Sequence, residues 1–411
     1  MRKRISLMIA VCMMIFPVLT ASAVSLTDYT NPDSFYKEAY VSGNFSLQSR
    51  GDNRLTDEEC LGDDCESGQT SYSGTLLANY DTQYSSLPFT WLLKIDGTLD
   101  IERSAEEGAD DEQGYDLTAR TSVDKYYRDT KVFGFGSAET GYRKSLGADD
   151  ADDPYAKIGF GAGYGRVIDA TVLAKAIRVV EDLLKYDVIT NDLSDDAYMQ
   201  LAGIIDKEKE FESKHGPVEY EKYWFEAMEQ VFREEGVLTE DALGAMGIIR
   251  IREILVNEVF SSRRYGWTVR GGLGFILSNY DGSESDPSLD LAFEYALPYV
   301  YRMQLIERLS YSTILDDDVV HQISNALSAT YEVSDRIDWE NLWNLVVTAP
   351  SDSDVENIIS NKLSSTFRYY ISNKINFDTT LSLTHLDDGI DNNGNDDLET
   401  GLFLGMTYRL R

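Results

Sequence analysis

The chain of 411 residues is strongly acidic, with 37 Lys and Arg against 71 Asp and Glu and a formal net charge of −34 at pH 7. This charge argues against nucleic-acid binding, because phosphate contacts need a basic surface. The mean hydropathy of −0.31 would suit a soluble protein. A membrane-spanning β-barrel gives a similar value, because only every second residue of its strands is apolar.

Residues 1–23 predict a secretory signal. Arg2, Lys3 and Arg4 supply the charged start, and a mostly apolar stretch leads to small residues at Ala21-Ser22-Ala23 that suit cleavage. A membrane anchor is the alternative, but the apolar core is short and Pro17 interrupts it. No apolar run of about twenty residues follows, so the sequence predicts no transmembrane helix.

Beyond the signal, the only cysteines are Cys60 and Cys65, in an acidic loop. An exported chain meets an oxidising compartment, so we expect a local disulfide between them. A zinc site is the alternative, and two thiols without a nearby histidine suit it poorly.

Six segments with alternating apolar and polar residues make up the first part of the chain. The clearest has Phe89 to Ile101 on one face and Thr90 to Glu102 on the other. A soluble sheet would alternate in the same way, but about thirteen residues is long for a globular strand. The six segments are 39–48, 72–80, 89–101, 115–124, 131–142 and 155–166.

From 167 to 262 the apolar period becomes helical, which predicts an inserted module of four helices. Asp169, Ser194 and Thr239 are candidate N-caps for the first, second and fourth helices. The third is expected from about Val218 to Glu235, and Gly236 ends it.

Alternation resumes at Tyr265 and continues to the last residue. The remaining strands are expected at 265–278, 288–295, 300–313, 324–333, 337–348, 361–370, 375–385 and 401–411. Together with the first six they make fourteen. Longer acidic connections alternate with short ones, as in up-and-down membrane barrels. This parity places the helical module among the short connections.

The terminal strand carries a further signal. Gly405 is followed three and five residues later by Tyr408 and Leu410. This pattern resembles the C-terminal insertion signal of bacterial outer-membrane β-barrel proteins, a porin-like class in which the chain fits no single family. The chain departs from the usual signal at Phe403, where a polar residue is common, and at Arg411, where Phe or Trp is common.

The resemblance implies an all-β transmembrane antiparallel up-and-down barrel of about 14 strands with an inserted α-helical module. It implies contact with outer-membrane lipid and lipopolysaccharide and recognition by the barrel assembly machinery. The barrel would comprise 24–166 and 263–411. Both termini and the helical module would lie in the periplasm.

If the apolar faces meet lipid, the polar faces line a lumen. Charges of both signs there would pass small polar or charged solutes, and the alternative is a closed interior in which they only pair with one another. The candidate pore-lining residues are Lys94, Asp96, Asp100, Glu102, Arg120, Asp124, Arg270, Arg302, Gln304, Arg308 and Asp378.

The helical module is the least porin-like feature. It could plug the lumen, or it could dock a periplasmic protein through Tyr220, Tyr223, Trp224 and Phe225. The docking alternative would make the protein a polymer or protein export pore or an envelope scaffold. These four aromatics could equally form the module's own core.

Nothing in the sequence predicts catalysis, a cofactor or a metal site. His385 lies near Ser382 and Thr384 but on the opposite strand face, so an outer-membrane enzyme is the least favoured function. The acidic run from Asp387 to Asp397 lacks EF-hand spacing and is expected to be a solvated loop.

Overall fold

The computed structural model describes residues 24–48, 70–105, 109–128, 130–283, 287–315, 319–352, 355–389 and 397–410. The signal predicted for residues 1–23 and the disulfide predicted between Cys60 and Cys65 lie outside these ranges.

Fourteen antiparallel strands pair in chain order, and the last pairs with the first to close a barrel. The predicted fold class is therefore confirmed. The strands are β1 Ser34–Gln48, β2 Ser71–Ser85, β3 Phe89–Arg103, β4 Glu112–Tyr126, β5 Val132–Lys144, β6 Tyr155–Asp169, β7 Arg264–Ser278, β8 Ser288–Val300, β9 Met303–Ile314, β10 Val320–Ser334, β11 Ile337–Pro350, β12 Ile358–Tyr370, β13 Ile375–Asp387 and β14 Glu399–Arg409.

The strands are 11 to 15 residues long, enough for a tilted strand to cross a bilayer and extend beyond it. An ion pair identifies the inner face of the barrel. Arg270 on β7 bonds Asp124 on β4 at 2.9 Å, although two strands separate them in the sheet. Such a contact can only pass through the interior. Strand alternation then directs Lys94 and Asp96 inward and Leu93 and Leu99 outward.

The two ends of the barrel differ in their connections. Three of the short turns are 86–88, 301–302 and 335–336. We call the end that carries them the turn end, and the opposite end, with the longer acidic connections, the loop end. The chain leaves β6 at Asp169 and re-enters at Arg264, which are paired residues. The helical module therefore occupies the position of one turn-end hairpin, as the connection parity predicts.

The closing seam is short. β1 and β14 are paired only from Tyr40↔Arg409 to Gly43↔Met406, whereas β1 pairs with β2 along its full length. Towards the loop end both strands present an unpaired backbone edge. Because only these four residue pairs join the two strands, this part of the wall is the least consolidated.

The helical module contains α1 Thr171–Lys185, α2 Asp195–Asp206, α3 Glu208–Glu234 and α4 Gly244–Arg252. A π-helical turn, Glu253–Asn257, follows α4. α3 is two helices joined at a kink where Gly216 has a φ of 78° and Pro217 follows. A left-handed φ suits glycine, and proline cannot continue the preceding helix. In the described part of the chain no helix is long and apolar enough to span a membrane.

The predicted caps fared unequally. Ser194 caps α2 by accepting a hydrogen bond from Ala197 N. Asp169 lies one residue before the N-cap position of α1, and its Oδ1 still accepts from Thr171 N at 2.9 Å. The Thr239 prediction was wrong, because α4 begins at Gly244 and the Thr239 hydroxyl bonds Asp187 O.

The module has its own apolar core. Leu173, Ile177 and Leu183 of α1 are fully buried against the other helices. The N-terminal segment joins this core through Leu26. Because α1 is buried on most sides, it is the central element of the module. The hydrophobic effect of this core stabilises the module.

Trp224 and Phe225 belong to this core, which corrects their prediction as partner-binding residues. Trp224 is 1% exposed and its Nε1 donates to Ile204 O at 2.7 Å. The other two predicted residues, Tyr220 and Tyr223, lie nearer the surface and are partly exposed. An aromatic cluster denser than one helical stripe thus reflects a helix that packs on two sides.

Candidate functional site in the barrel lumen

Six charged side chains form a belt midway along the lumen. Arg120 and Lys94 are directly opposite on neighbouring strands. Arg120 Nε bonds Glu139 at 2.8 Å, and Arg308 Nη2 bonds Glu294 at 3.1 Å. We call this group the lumen belt: Lys94, Asp96, Arg120, Glu139, Glu294 and Arg308.

The lumen belt is hydrated. The side chains of Lys94, Arg120 and Arg308 are 47%, 55% and 53% exposed. These residues face inward, so their exposure is to the interior of the barrel. The lumen is therefore open to water at this level.

Towards the loop end, one side of the lumen wall is acidic. Asp100 accepts a hydrogen bond from the Thr75 hydroxyl at 2.7 Å. Asp100, Glu102 and Ser73 line a cleft of about 240 Å³, into which Leu146 reaches from the connection after β5. The predicted inward positions of Asp100 and Glu102 agree with this placement.

One wall of the lumen combines glycines with aromatic rings. Phe135 lies over Gly161 and Gly272, where a Cβ would come within 2.8 Å and 2.9 Å of its ring. Arg270 lies 5.9 Å from the centre of the same ring while it holds Asp124 through two hydrogen bonds. The glycines leave room for this ring. The ring and the ion pair pack against the inner surface of the barrel wall.

Towards the turn end the inward side chains become packed. Asp378 accepts from Arg368 Nε at 2.9 Å and from the Thr407 hydroxyl at 2.9 Å. Arg409 Nη2 bonds Glu38 at 3.1 Å. These contacts join β12, β13, β14 and β1 just above the module.

A buried charged cluster joins the module to the barrel rim. Arg178 of α1 bonds Glu332 at 2.5 Å, Asp335 at 2.7 Å and Glu258 at 3.2 Å. Arg263 reaches Glu332 from the other side at 2.7 Å. Arg263 and Glu332 are only 0% and 4% exposed. We call these five residues the turn-end network.

Two further contacts extend this attachment around the rim. Tyr301, in the β8–β9 turn, is buried in the module's core and donates its hydroxyl to Glu181. Ser261 donates to Asp338 at the start of β11 at 2.9 Å. With the covalent links at β6 and β7, the module is attached to β6, β7, β10 and β11 and to the β8–β9 and β10–β11 turns.

Two predicted pore-lining residues have other roles. Arg302 lies in the β8–β9 turn, where its Nε donates to the Tyr301 hydroxyl at 2.5 Å, so its prediction as a lumen residue on a strand was wrong. Gln304 is 3% exposed, and its amide bonds both Arg264 N and Arg264 O. It positions the start of β7.

Burial shifts two pKa values in the module. Removal from water raises the pKa of Glu258 to about 7, and the positive charge of Arg178 only partly opposes this shift. Burial lowers the pKa of Lys175, opposed by Glu208 and Asp169. Both effects follow from the cost of a charge away from water.

The turn-end network was missed at the level of sequence. Its one local signal is Arg178, which stands between apolar Ile177 and Val179 on a helix that buries almost every side. An arginine in such a position needs a buried carboxylate. Its partner Glu332 is 154 residues away in sequence.

The remaining predicted residues have these positions. The Gly405 backbone lies under the Phe403 ring on the inner face. Tyr408 and Leu410 are 44% and 57% exposed and follow the outward alternation. Their role as an insertion signal stays a prediction.

Within the described ranges the histidines are dispersed. His215 stacks on Tyr223 in the module, with the ring centres 3.9 Å apart, and His321 accompanies Tyr311 on the barrel. No group of three or more His, Cys, Asp or Glu in the described residues is arranged to hold a metal ion. That the protein is not an enzyme stays a prediction.

No protein-family model and no curated protein matches the chain. Among solved structures it is similar to a bacterial polysaccharide outer membrane secretin, with 11% identity and a TM-score of 0.28 over 91% of this chain and 98% of that chain. It is also similar to a BenF-like porin from Pseudomonas fluorescens Pf-5, with 8% identity and a TM-score of 0.31 over 91% of this chain and 98% of that chain. The similarity to the CymD monoaromatic hydrocarbon channel has 8% identity and a TM-score of 0.30 over 93% of this chain and 89% of that chain. Likeness this distant assigns no activity, and the class-level resemblance rests on the closed barrel.

Proposed function

We propose that the protein is an outer-membrane channel for small polar or charged solutes, and that the helical module is a plug at its turn end. The observation that carries this proposal is the contrast along the lumen. The cations of the lumen belt are about half exposed to water, whereas Arg178, Arg263 and Glu332 of the turn-end network are buried.

The hydrated belt supports solute passage. Its cations and carboxylates pair along the wall, between neighbouring strands or along one strand, so the pairs leave the lumen axis open. Charges of both signs can replace part of the hydration shell of an ion or a polar solute. A barrel of this strand number is wide enough to hold water unless something fills it.

The turn-end network supports the plug. Four of its five charged side chains, those other than Asp335, are at most 10% exposed, so separating the module from the rim would leave buried charges unpaired. The attachments run along one arc of the rim from β6 to β11, and they support a position of the module at this opening. Conduction then requires the module to shift or open locally.

The outer face supports a location in the outer membrane. Leu93 and Leu99 illustrate the apolar exterior, which only hydrocarbon would bury. The short-turn end, with the module and both termini, would face the periplasm, as is usual for such barrels. Lipid and lipopolysaccharide would surround the barrel, and the barrel assembly machinery would insert it.

A second candidate function is recruitment of a periplasmic partner by the module, as in an export pore or an envelope scaffold. The observation that favours it is apolar exposure on the module, where Val218 is 89% exposed and Ile249 is 60% exposed. Val218 lies on α3 two residues before Tyr220 of the predicted docking cluster, and Ile249 lies on α4.

The test compares the intact chain with a variant that lacks the module. Asp169 and Arg264 are paired across β6 and β7, so a two-residue Asn-Gly turn can replace residues 170–263. Both proteins are inserted in a planar bilayer after their folding is checked by gel mobility with and without boiling. We expect small or intermittent steps from the intact chain and larger, stable steps from the variant.

The outcomes separate the candidates. Equal conductance would contradict the plug and favour the partner-recruitment function, which a pull-down with the intact chain and the module-less variant would then examine. Absence of steps from both folded proteins would contradict the channel itself.

A further inference from the structure

The inner wall formed by β12 and β13 carries hydroxyl groups at a level where the opposite wall carries charges. Two cross-strand pairs follow one another along these strands, Thr366↔Thr380 and Ser364↔Ser382. Alternation from the inward Asp378 places all four side chains on the inner face. We call these four residues the hydroxyl window.

The hydroxyl window has hydrogen-bonding capacity to spare. The hydroxyls of Thr366 and Thr380 lie 2.8 Å apart and bond each other, and each can still bond a further partner. The hydroxyls of Ser364 and Ser382 bond no other residue in the described ranges. All four residues are partly exposed, and because they face inward, this exposure is to the lumen. The window can therefore both donate hydrogen bonds to a solute and accept them from it.

An aromatic ring borders the hydroxyl window on β14. Phe403 is paired with Thr380 and faces inward with it. Its ring covers Gly405 and fills the place that a Cβ would take there, so one face of the ring lies against the backbone. Phe403 is nevertheless 37% exposed. It therefore presents a flat apolar surface to the lumen beside the four hydroxyls.

A second glycine keeps the wall low next to this ring. Gly401 is paired with Ser382, and a Cβ at Gly401 would come within 2.7 Å of the Ser382 Oγ. Because no side chain stands there, the Ser382 hydroxyl can be reached from the side of Phe403. The ring and the hydroxyl are thus accessible to the same solute.

The charges around the hydroxyl window do not favour an anion. Towards the turn end, Arg368 bonds Asp378 at 2.9 Å and lies 3.9 Å from Glu340 on β11. Towards the loop end, the next inward row holds Lys362 on β12 and Glu399 on β14. The border therefore has two cations against three carboxylates, and no charged side chain lies within the window itself.

We propose that Phe403 and the hydroxyl window form a binding subsite for a neutral sugar ring. This inference rests on the proposed channel, whose solute class it narrows, because the sugar would reach the subsite through the hydrated lumen. The C–H groups on one face of a pyranose can stack on the Phe403 ring, whose face is electron-rich. The hydroxyls at the edge of the sugar can then exchange hydrogen bonds with Ser364 and Ser382.

The spacing of the wall suits such a ring. Directly opposed side chains on neighbouring strands have Cβ atoms about 5 Å apart, which is comparable to the width of a pyranose. One sugar can therefore span Phe403 and the nearest hydroxyls on β13. A charged group on the solute would find no counter-ion inside the window.

The experiment measures sugar binding to the full-length protein by saturation-transfer NMR, in a zwitterionic detergent whose headgroup contains no sugar. The probe is methyl β-glucopyranoside, and the test variants are Phe403→Ala and Ser382→Ala. The matched controls lie on the outer face of β13. They are Phe377→Ala, where the ring is 38% exposed, and Thr379→Ala. Gel mobility with and without boiling checks that each variant is folded.

The two test variants should differ in size of effect. Loss of the stacking ring should weaken binding by about tenfold. Loss of one hydroxyl should weaken it by about fivefold. Both controls should bind the sugar like the unaltered chain, because their side chains face away from the lumen.

A second measurement protects the test against a variant that fails to fold. Phe403→Trp keeps an aromatic surface and should retain binding, and the bound sugar should shift the fluorescence of the added indole. This shift is read as the difference from the unaltered chain. Phe377→Trp, on the outer face, should show no shift with the same probe.

Equal binding by Phe403→Ala and the unaltered chain would overturn the subsite, as would no transfer to the sugar together with no shift in Phe403→Trp. Tighter binding of glucuronate or glucosamine would overturn the neutral class, and tighter binding of benzyl alcohol would overturn the sugar. Neither measurement requires conduction. A folded chain that binds the sugar but passes no current would retain the subsite and lose the channel, and conduction without sugar binding would do the reverse.

Discussion

The lumen belt and the turn-end network are built from the same residue types but in opposite surroundings. In the belt, Arg308 meets Glu294 with more than half of its side chain in water. In the network, Arg178 meets Glu332 with 6% and 4% of the side chains exposed. An exposed ion pair is screened by water and salt and contributes little to stability. Breaking a buried ion pair leaves an unpaired charge away from water, which is costly.

This difference assigns the two regions different tasks. A belt whose pairs can exchange with water can admit a solute at low cost. A network that is mostly buried resists separation and would hold the module at the turn-end opening. Under the proposed function, the same chemistry would supply a passage at one level and closure at the other.

The largest expected effect is a difference in stability loss when an arginine is replaced by methionine, once in the turn-end network and once in the lumen belt. Arg178→Met leaves Glu332 and Glu258 buried with less neutralisation, and we expect the module to lose about 4 kcal/mol of stability against local opening. Arg308→Met should cost about 0–1 kcal/mol. Hydrogen exchange of the α1 amides, followed by mass spectrometry, measures the loss in Arg178→Met. Exchange of the β9 amides measures the loss in Arg308→Met. Similar losses at both sites would remove the distinction between the regions.

The next effect is a pH dependence confined to the module. The folded pKa of Glu258, about 7, lies above its ordinary value of 4.5, so the folded state binds more protons between these values. Stability must therefore fall as pH rises from about 4.5 to about 7, by about 3 kcal/mol if this group acts alone.

Exchange of the α1 amides across this pH range, corrected for the intrinsic exchange rate, checks the slope. Glu258→Gln should flatten it, while Glu139→Gln in the lumen belt should leave it unchanged. A slope of the opposite sign would mean that the ion pair with Arg178 outweighs burial.

A smaller effect is expected on ion selectivity. In the module-less barrel, Arg120→Gln and Arg308→Gln each remove one positive charge from the belt, and the reversal potential in a salt gradient should shift towards cations by about twofold in permeability ratio. The paired changes Glu139→Gln and Glu294→Gln should shift it towards anions. Unchanged reversal potentials in all four would show that the belt does not face the conducting path.

The smallest expected effect is in the barrel wall itself. Only four residue pairs join β1 and β14, so amides near Phe45 and Leu404 should exchange faster than those of fully paired neighbours such as Leu99. Exchange that is uniform around the barrel would show that the seam is fully paired in solution.

The strands and their order could be predicted from the sequence because the signal is local. Alternation in Phe89–Arg103 is visible residue by residue, and the parity of the acidic connections needs no knowledge of distant contacts. The ends of the strands were harder to predict. β9 begins at Met303 rather than at residue 300, because the turn at Tyr301 packs into the module.

The candidate site was predictable only in part. Lys94, Arg120 and Arg308 follow from strand alternation. The turn-end network does not, because it joins α1 to a hairpin far along the chain. The burial of Trp224 was equally hidden, since its partner Ile204 O lies on another helix. Packing between different helices and strands decides such positions, and the residue pattern within one helix or strand does not predict that packing.

The most direct test of closure at one end uses a cysteine inside the lumen. Ser137 is exposed and faces inward on β5, level with the belt. With Cys60 and Cys65 replaced by serine, Ser137→Cys is inserted in a planar bilayer in one orientation, and a membrane-impermeant thiol reagent is added to either side. Closure predicts rapid reaction from the loop end, slow reaction from the turn end, and rapid reaction from both after the module is removed. Equal rates from both sides of the intact chain would contradict it.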